Sequence, residues 1–101
     1  MQIIILESVE SFLMSLSDKE TAKAIRTIEL LEKFGSSLGM PHSKHLSDGL
    51  LELRMRGTRE IRIFYCFHKR TCYLLHAYIK KTQKAPDKDV RKARQAKENL
   101  H

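Results

Sequence analysis

LLELRMRGTREIRIFYCFHKRTCYLLHAYIKKTQK, residues 50–84, decides the fold. From Leu50 the period is two. Leu51, Leu53 and Met55 point one way and Glu52, Arg54 and Arg56 the other, as successive side chains of a strand must. The next run, Glu60 to His68, sets Ile61, Ile63, Tyr65 and Phe67 on one side and Arg62, Phe64 and Cys66 on the other. Both sides are largely apolar, so this strand is expected at the centre of a sheet. Lys69-Arg70 is a two-residue turn into a third strand, Thr71 to Ile79, and the three strands form an antiparallel meander.

Upstream, the β-branched run at residues 2–6, QIIIL, reads as a short buried strand. A short helix is expected over Val9 to Leu16. Ser17-Asp18 then caps a longer one to about Phe34, with Thr21, Ala24, Ile25, Ile28 and Leu31 recurring at helical spacing. Gly35 stops it, and Ser36 to Asp48 reads as a loop. Downstream, KKTQKA leaves the sheet, and Pro86 with Asp87 and Asp89 starts a helix whose later turns carry Arg91, Lys92, Arg94 and Lys97, a distribution that suits the helix dipole. The expected order is β-α-α-β-β-β-α, an α+β domain with a small antiparallel sheet and helices packed on one face.

With 101 residues, 42% of them hydrophobic, and no tryptophan, the chain supports one small domain over residues 1–101 and not two. The charge is uneven. Residues 1–53 hold five Lys/Arg against eight Asp/Glu, a balance of −3, whereas residues 54–101 hold fourteen against four, a balance of +10. The basic half is the expected binding half, suited to phosphate backbones or to an acidic protein partner; a merely solvated basic surface is the plain alternative. Across a two-residue turn Cys66 faces Tyr73 and not Cys72, so both cysteines are expected to be reduced. No apolar run reaches the length of a membrane span, and QIIIL, followed by Glu7, is too short for a signal sequence; a cytoplasmic protein with no membrane partner is expected.

Several of these stretches occur together elsewhere. The order of elements, HSKHLSDGLLELR at residues 42–54, the RIFY strand and the HAYIKKTQKAP exit before a basic helix resemble the RelE/ParE superfamily of toxins, and within it the HigB-like, phage-derived branch of type II toxin–antitoxin systems. The resemblance covers nearly the whole chain. It implies a RelE-like microbial RNase fold and a ribosome-dependent mRNA endonuclease that inhibits translation. It also implies a cognate HigA-like antitoxin, bound in a hetero-oligomeric complex, and the ribosome and mRNA as further partners. The ParE branch, which poisons DNA gyrase, is the competing implication, and a non-catalytic basic binding module is a third reading.

Metal-free RNA cleavage uses the 2′-hydroxyl against the adjacent phosphate. The protein must take up a proton, stabilise charge on phosphorus and protonate the leaving oxygen. By resemblance, Arg62 matches an arginine that stabilises the phosphate, Arg54 a basic position on the neighbouring strand, and Lys81 another basic catalytic position. Arg56, Lys80 and Lys84 lie beside them as RNA- or ribosome-binding candidates. The chain departs from the best-studied nucleases at Leu50 and Glu52, where those have lysines, and near Asp87, where those have a tyrosine. His45, His76 and Tyr78 are the substitutes for the missing base or stacking group. Arg62, between Ile61 and Ile63, is expected to need a phosphate or carboxylate partner, because an unpaired guanidinium in an apolar strand is costly. His42 and His45 hint at metal ligands, but no cysteine or carboxylate stands at suitable spacing; neither a metal nor a cofactor is expected.

Overall fold

The computed structural model describes residues 1–101. Its elements are β1 (Gln2–Ile5), α1 (Glu7–Met14), α2 (Asp18–Phe34), a single 3-10 turn at Gly35–Ser37, β2 (Ser43–Ser47), β3 (Leu50–Met55), β4 (Glu60–His68), β5 (Thr71–Lys80) and α3 (Asp87–Glu98). One five-stranded sheet runs in the order β1-β5-β4-β3-β2. The α+β class and the central position of β4 agree with the sequence reading.

Local signals account for the element boundaries. Ser17 accepts from the Glu20 amide at 3.2 Å while Glu20 Oε1 accepts from the Ser17 amide at 3.1 Å, a reciprocal capping box that fixes the start of α2. Gly35, at φ 55°, ends that helix in a conformation that an L side chain resists. In the β4–β5 hairpin His68 pairs with Thr71, leaving Lys69 and Arg70 as the two turn residues at φ 50° and 64°. Both are therefore in the left-handed region that such tight hairpins require.

Four features differ from the expectation. Ser43–Ser47, read as loop, is an edge strand antiparallel to β3. Its SKHLS composition carries no apolar alternation, and it lies at the sheet edge, where one side of its backbone pairs with nothing. Secondly, β1 runs parallel to β5, so the sheet is mixed. Thirdly, the buried stripe of α2 is Ala24, Thr27 and Leu31, whereas Ile25 is 51% exposed. Fourthly, the helices do not share one face. Val9 of α1 and Ala24 and Leu31 of α2 cover Leu53, Met55, Ile61, Ile63, Tyr65, Cys72 and Leu74; α3 instead closes a second apolar cluster of Leu50, Phe64, Cys66, Leu75, Tyr78 and Ala93 on the opposite face. A bulge in β5 adds to the α3 side. The register passes from Phe64↔His76 to Tyr65↔Leu74, which leaves Leu75 unpaired and lets both Leu75 and His76 serve the α3 side.

The two cysteines belong to opposite faces, Cys66 under α3 and Cys72 under α1 and α2, and both are free. Burial pushes the Cys72 thiol up to about 12, with Cys66 adding to the shift, so it stays protonated and inert at neutral pH. On the same face Tyr65 shares a buried hydroxyl–hydroxyl hydrogen bond with Ser43, which ties β2 to the centre of the sheet.

A second clamp joins the β3–β4 turn to α2. Arg59 donates two parallel hydrogen bonds to Glu20, both 2.8 Å. The hydrogen bond from Arg59, followed by that from the Ser17 amide, lowers the Glu20 carboxyl from 4.5 to about 2. A depressed carboxyl contributes stability above its unfolded value and loses it as pH falls through the folded one. The stability difference between the wild type and Glu20→Gln should therefore be constant above about pH 5 and vanish towards pH 2, as read from urea midpoints; a difference that grows on acidification would contradict the clamp. In the hairpin, Lys69→Asn with Arg70→Gly should raise stability by about 1 kcal/mol with an unchanged urea slope, because both positions then carry residues that tolerate positive φ.

Candidate functional site

The register that builds the sheet creates an electrostatic problem on the α3 side. Arg54 of β3 lies directly opposite Arg62 of β4. Two like charges facing each other on neighbouring strands repel unless an anion separates them. Glu52, two residues before Arg54 on the same face, is that anion: its Oε1 lies 3.7 Å from Arg62 Nε and 3.8 Å from Arg54 Nε. The Tyr78 hydroxyl donates to its Oε2 at 3.0 Å. Glu52 and Arg62 are 3% and 2% exposed, so the pair is inside the protein and not on its rim.

Arg62 has a second carboxylate. Its NH2 group donates to Glu60 Oε1 at 3.2 Å and its NH1 group to the Ile61 carbonyl at 3.1 Å. Partial burial opposes ionisation of Glu60, but the hydrogen bond and charge of Arg62 outweigh it and hold the carboxyl below its usual range. The Nε–H groups of Arg54 and Arg62 are buried and make no hydrogen bond, since Glu52 is within charge contact of both yet beyond hydrogen-bond reach. The expected partner of Arg62 is thus supplied by the protein, with donor capacity left over.

Above this floor lies an open depression of about 610 Å³ whose lining is entirely polar: Arg54, Arg56, Glu60, Arg62, Lys80, Lys81, Thr82 and Gln83. Strands β3 and β4 supply the floor and the exit of β5 supplies Lys80 and Lys81. Arg62, Lys81 and Arg54, the three catalytic candidates of the sequence reading, line one concavity, together with Arg56 and Lys80. Lys84 lines an adjoining hollow of about 340 Å³, with Lys44, Glu52 and Arg94, and the two share Lys80 and Gln83.

The other three candidates lie elsewhere. Tyr78 is 6% exposed, stacked on Phe64 with ring centroids 5.3 Å apart, and its hydroxyl is committed to Glu52. Burial, and then the charge of Glu52, push its phenol well above the usual range, so it remains a donor. His76 Nε2 meets Asp89 Oδ1 at 2.6 Å, which pins the first turn of α3 to the sheet. His45 does not join them. It pairs with Leu51, whose side belongs to the α1/α2 face, so it is directed away from Arg62. No group of three or more His, Cys, Asp or Glu side chains is assembled to hold a metal ion.

Sequence reasoning missed Glu52 as a hub, having read it as one of the charged residues of an alternating strand and as a departure from lysine. The signal was available once the register was fixed, because Arg54 opposite Arg62 demands an intervening anion. No helix is long and apolar enough to cross a membrane.

Residues 11–98 match the family model described as Phage derived protein Gp49-like (DUF891). The chain belongs to that family, which is RelE/toxin-like and found in toxin–antitoxin systems. No curated protein matches it.

Removing Glu52 leaves two guanidinium groups facing each other, one of them fully inside the protein. Glu52→Ala should cost about 3–5 kcal/mol of folding stability, measured by urea denaturation. A loss below about 1 kcal/mol, the size of a surface ion pair, would show that the carboxylate is not holding the arginines together.

Proposed function

We propose that this Gp49-like chain is the toxin of a toxin–antitoxin pair and a ribosome-dependent mRNA endonuclease, metal-independent, that inhibits translation. The observation that carries the reading is the convergence of Arg62, Arg54, Arg56, Lys80 and Lys81 on one depression without a single apolar lining residue. Such a surface suits a phosphodiester and is unlike the apolar, aromatic core of a protein–protein contact.

In this reading the scissile phosphate rests over Arg62 and Arg54. The guanidinium charge of the two side chains stabilises the extra negative charge that builds on phosphorus as the 2′-hydroxyl attacks. Lys81, exposed at the mouth, supplies a further cation and a proton for the leaving oxygen. Arg56, Lys80 and Lys84 bind the flanking backbone. The carboxylate available in the depression is Glu60, ionised and therefore able to accept the proton of the nucleophile, though weakly because Arg62 stabilises its charged form. Tyr78 and His76 act at one remove, by fixing Glu52 and α3. A HigA-like antitoxin and the ribosome are the partners the reading requires, and mRNA is the substrate.

A second reading, inhibition of DNA gyrase, is favoured by one observation: the depression contains no histidine, and its carboxylate is held by an arginine. A protein-directed toxin needs no base.

Induction of the chain alone should arrest growth and produce new transcript 5′ ends in translated mRNA only. Lys81→Ala, at an exposed position, should reduce cleavage by at least about 10²-fold without changing the melting temperature. Arg62→Lys, which keeps the charge but not the planar fork, should abolish it. Growth arrest with intact transcripts and relaxed plasmid DNA would instead select gyrase.

A further inference from the structure

The sequence divides the charge into an acidic first half and a basic second half, but the fold does not. A cavity of about 600 Å³ lies between the start of α2 and the β3–β4 turn, and Lys19, Lys23, Arg56 and Arg59 line it. Arg56 also lines the central depression, so the two concavities share a wall. The charge in the new cavity is not cancelled locally. Its one carboxylate, Glu20, is consumed by the two hydrogen bonds from Arg59 and by the α2 capping box. Lys19, Lys23 and Arg56 take part in no ion pair. Lys19 and Lys23, four residues apart, project from the same side of α2.

We propose that this cavity is a second phosphate subsite. An RNA strand seated in the central depression continues past Arg56 onto Lys19 and Lys23, which bind its backbone without reading its sequence. The inference rests on the RNA reading above and adds to it the direction in which the strand leaves the site. Chemistry favours a backbone phosphate over a protein side chain as the occupant. Ile61 is the only apolar residue in the lining, and a buried one, which leaves nothing for an apolar anchor. The cations come from α2 and from the β3–β4 turn and adjoin those of the depression through the shared Arg56, a continuity that suits an extended polyanion. The end of α2 is not itself the ligand, since the Ser17 side chain already occupies the Glu20 amide.

The test uses the full chain, fluorescence anisotropy, and two fully 2′-O-methylated single-stranded RNAs that cannot be cleaved: a trinucleotide that fills only the depression, and a strand of about twelve nucleotides. The Lys19→Gln/Lys23→Gln variant should bind the long RNA at least about fivefold more weakly at low salt. Its salt dependence should be shallower by about 1.4 in log–log slope, the loss of two phosphate contacts to a single strand. Trinucleotide affinity should be unchanged. Lys88→Gln/Arg91→Gln, an equal charge change at exposed positions of α3, is the control and should have less than half the effect. Equal losses in the two double variants would reduce the cavity to its share of net charge and overturn the subsite. So would an unchanged long-RNA affinity in Lys19→Gln/Lys23→Gln while the trinucleotide still binds, an outcome that leaves the central site standing. Failure of the wild-type chain to bind either RNA would overturn the subsite, while the ribosome-dependent central reading stands or falls by the mapping of transcript ends in translated mRNA.

Discussion

Glu52 is the residue on which the polar face depends. It is a buried carboxylate between two strand arginines and beneath a tyrosine hydroxyl, and each of those contacts is set by sheet register. Without it, Arg54 and Arg62 would face each other across a single ladder rung in a poorly solvated layer, and the sheet could hold them only by splaying the side chains outwards. With it, two guanidinium groups are fixed on the floor of a concavity. A buried ion pair is a poor source of stability, because desolvation offsets most of the attraction. Its value here is geometric: the arginine forks are oriented before any ligand arrives.

The same logic explains how α3 and the site coexist on one side of the sheet. The bulge at Leu75 delivers two consecutive side chains to α3, Leu75 into the apolar cluster and His76 to Asp89. The helix is anchored over the middle of β4 and β5, and the ends of β3, β4 and β5 are left open beside it. The stacked rings of Phe64, Tyr78 and His76 form the boundary, with apolar packing beyond Phe64 and the Tyr78 hydroxyl turned to Glu52. Half of the face is thus core and half is basic depression, which is why strands β4 and β5 are apolar on both sides for most of their length and cationic only near one end.

Much of this was legible in the amino-acid sequence, and the exceptions share a cause. The capping box of Ser17 and Glu20, the alternation of β3, the apolar β4 and the Lys69-Arg70 turn are local signals, and each element they define lies where it was expected. Arg62 stood out because a guanidinium between isoleucines needs a partner. What was misread depends on contacts between distant residues. SKHLS becomes a strand because β3 offers it an edge; Thr27, and not Ile25, faces the sheet; α3 packs on the second face, where the bulge in β5 adds Leu75 to its contacts. Glu52 and Arg54 are one feature in the sequence, a charged strand face. In the fold, one is a buried hub and the other part of the floor of the site. His45 fell on the wrong face because the strand that carries it was not recognised, so its direction had no basis.

The most direct test is nuclear magnetic resonance of the arginine Nε–H groups during titration of the intact chain with a short, non-cleavable RNA. If Arg62 and Arg54 form a preoriented phosphate floor, their two signals are protected from solvent exchange in the free protein and shift first and furthest on titration. Shifts confined to exposed arginines such as Arg70 and Arg91, with Arg62 and Arg54 unmoved at saturation, would contradict it.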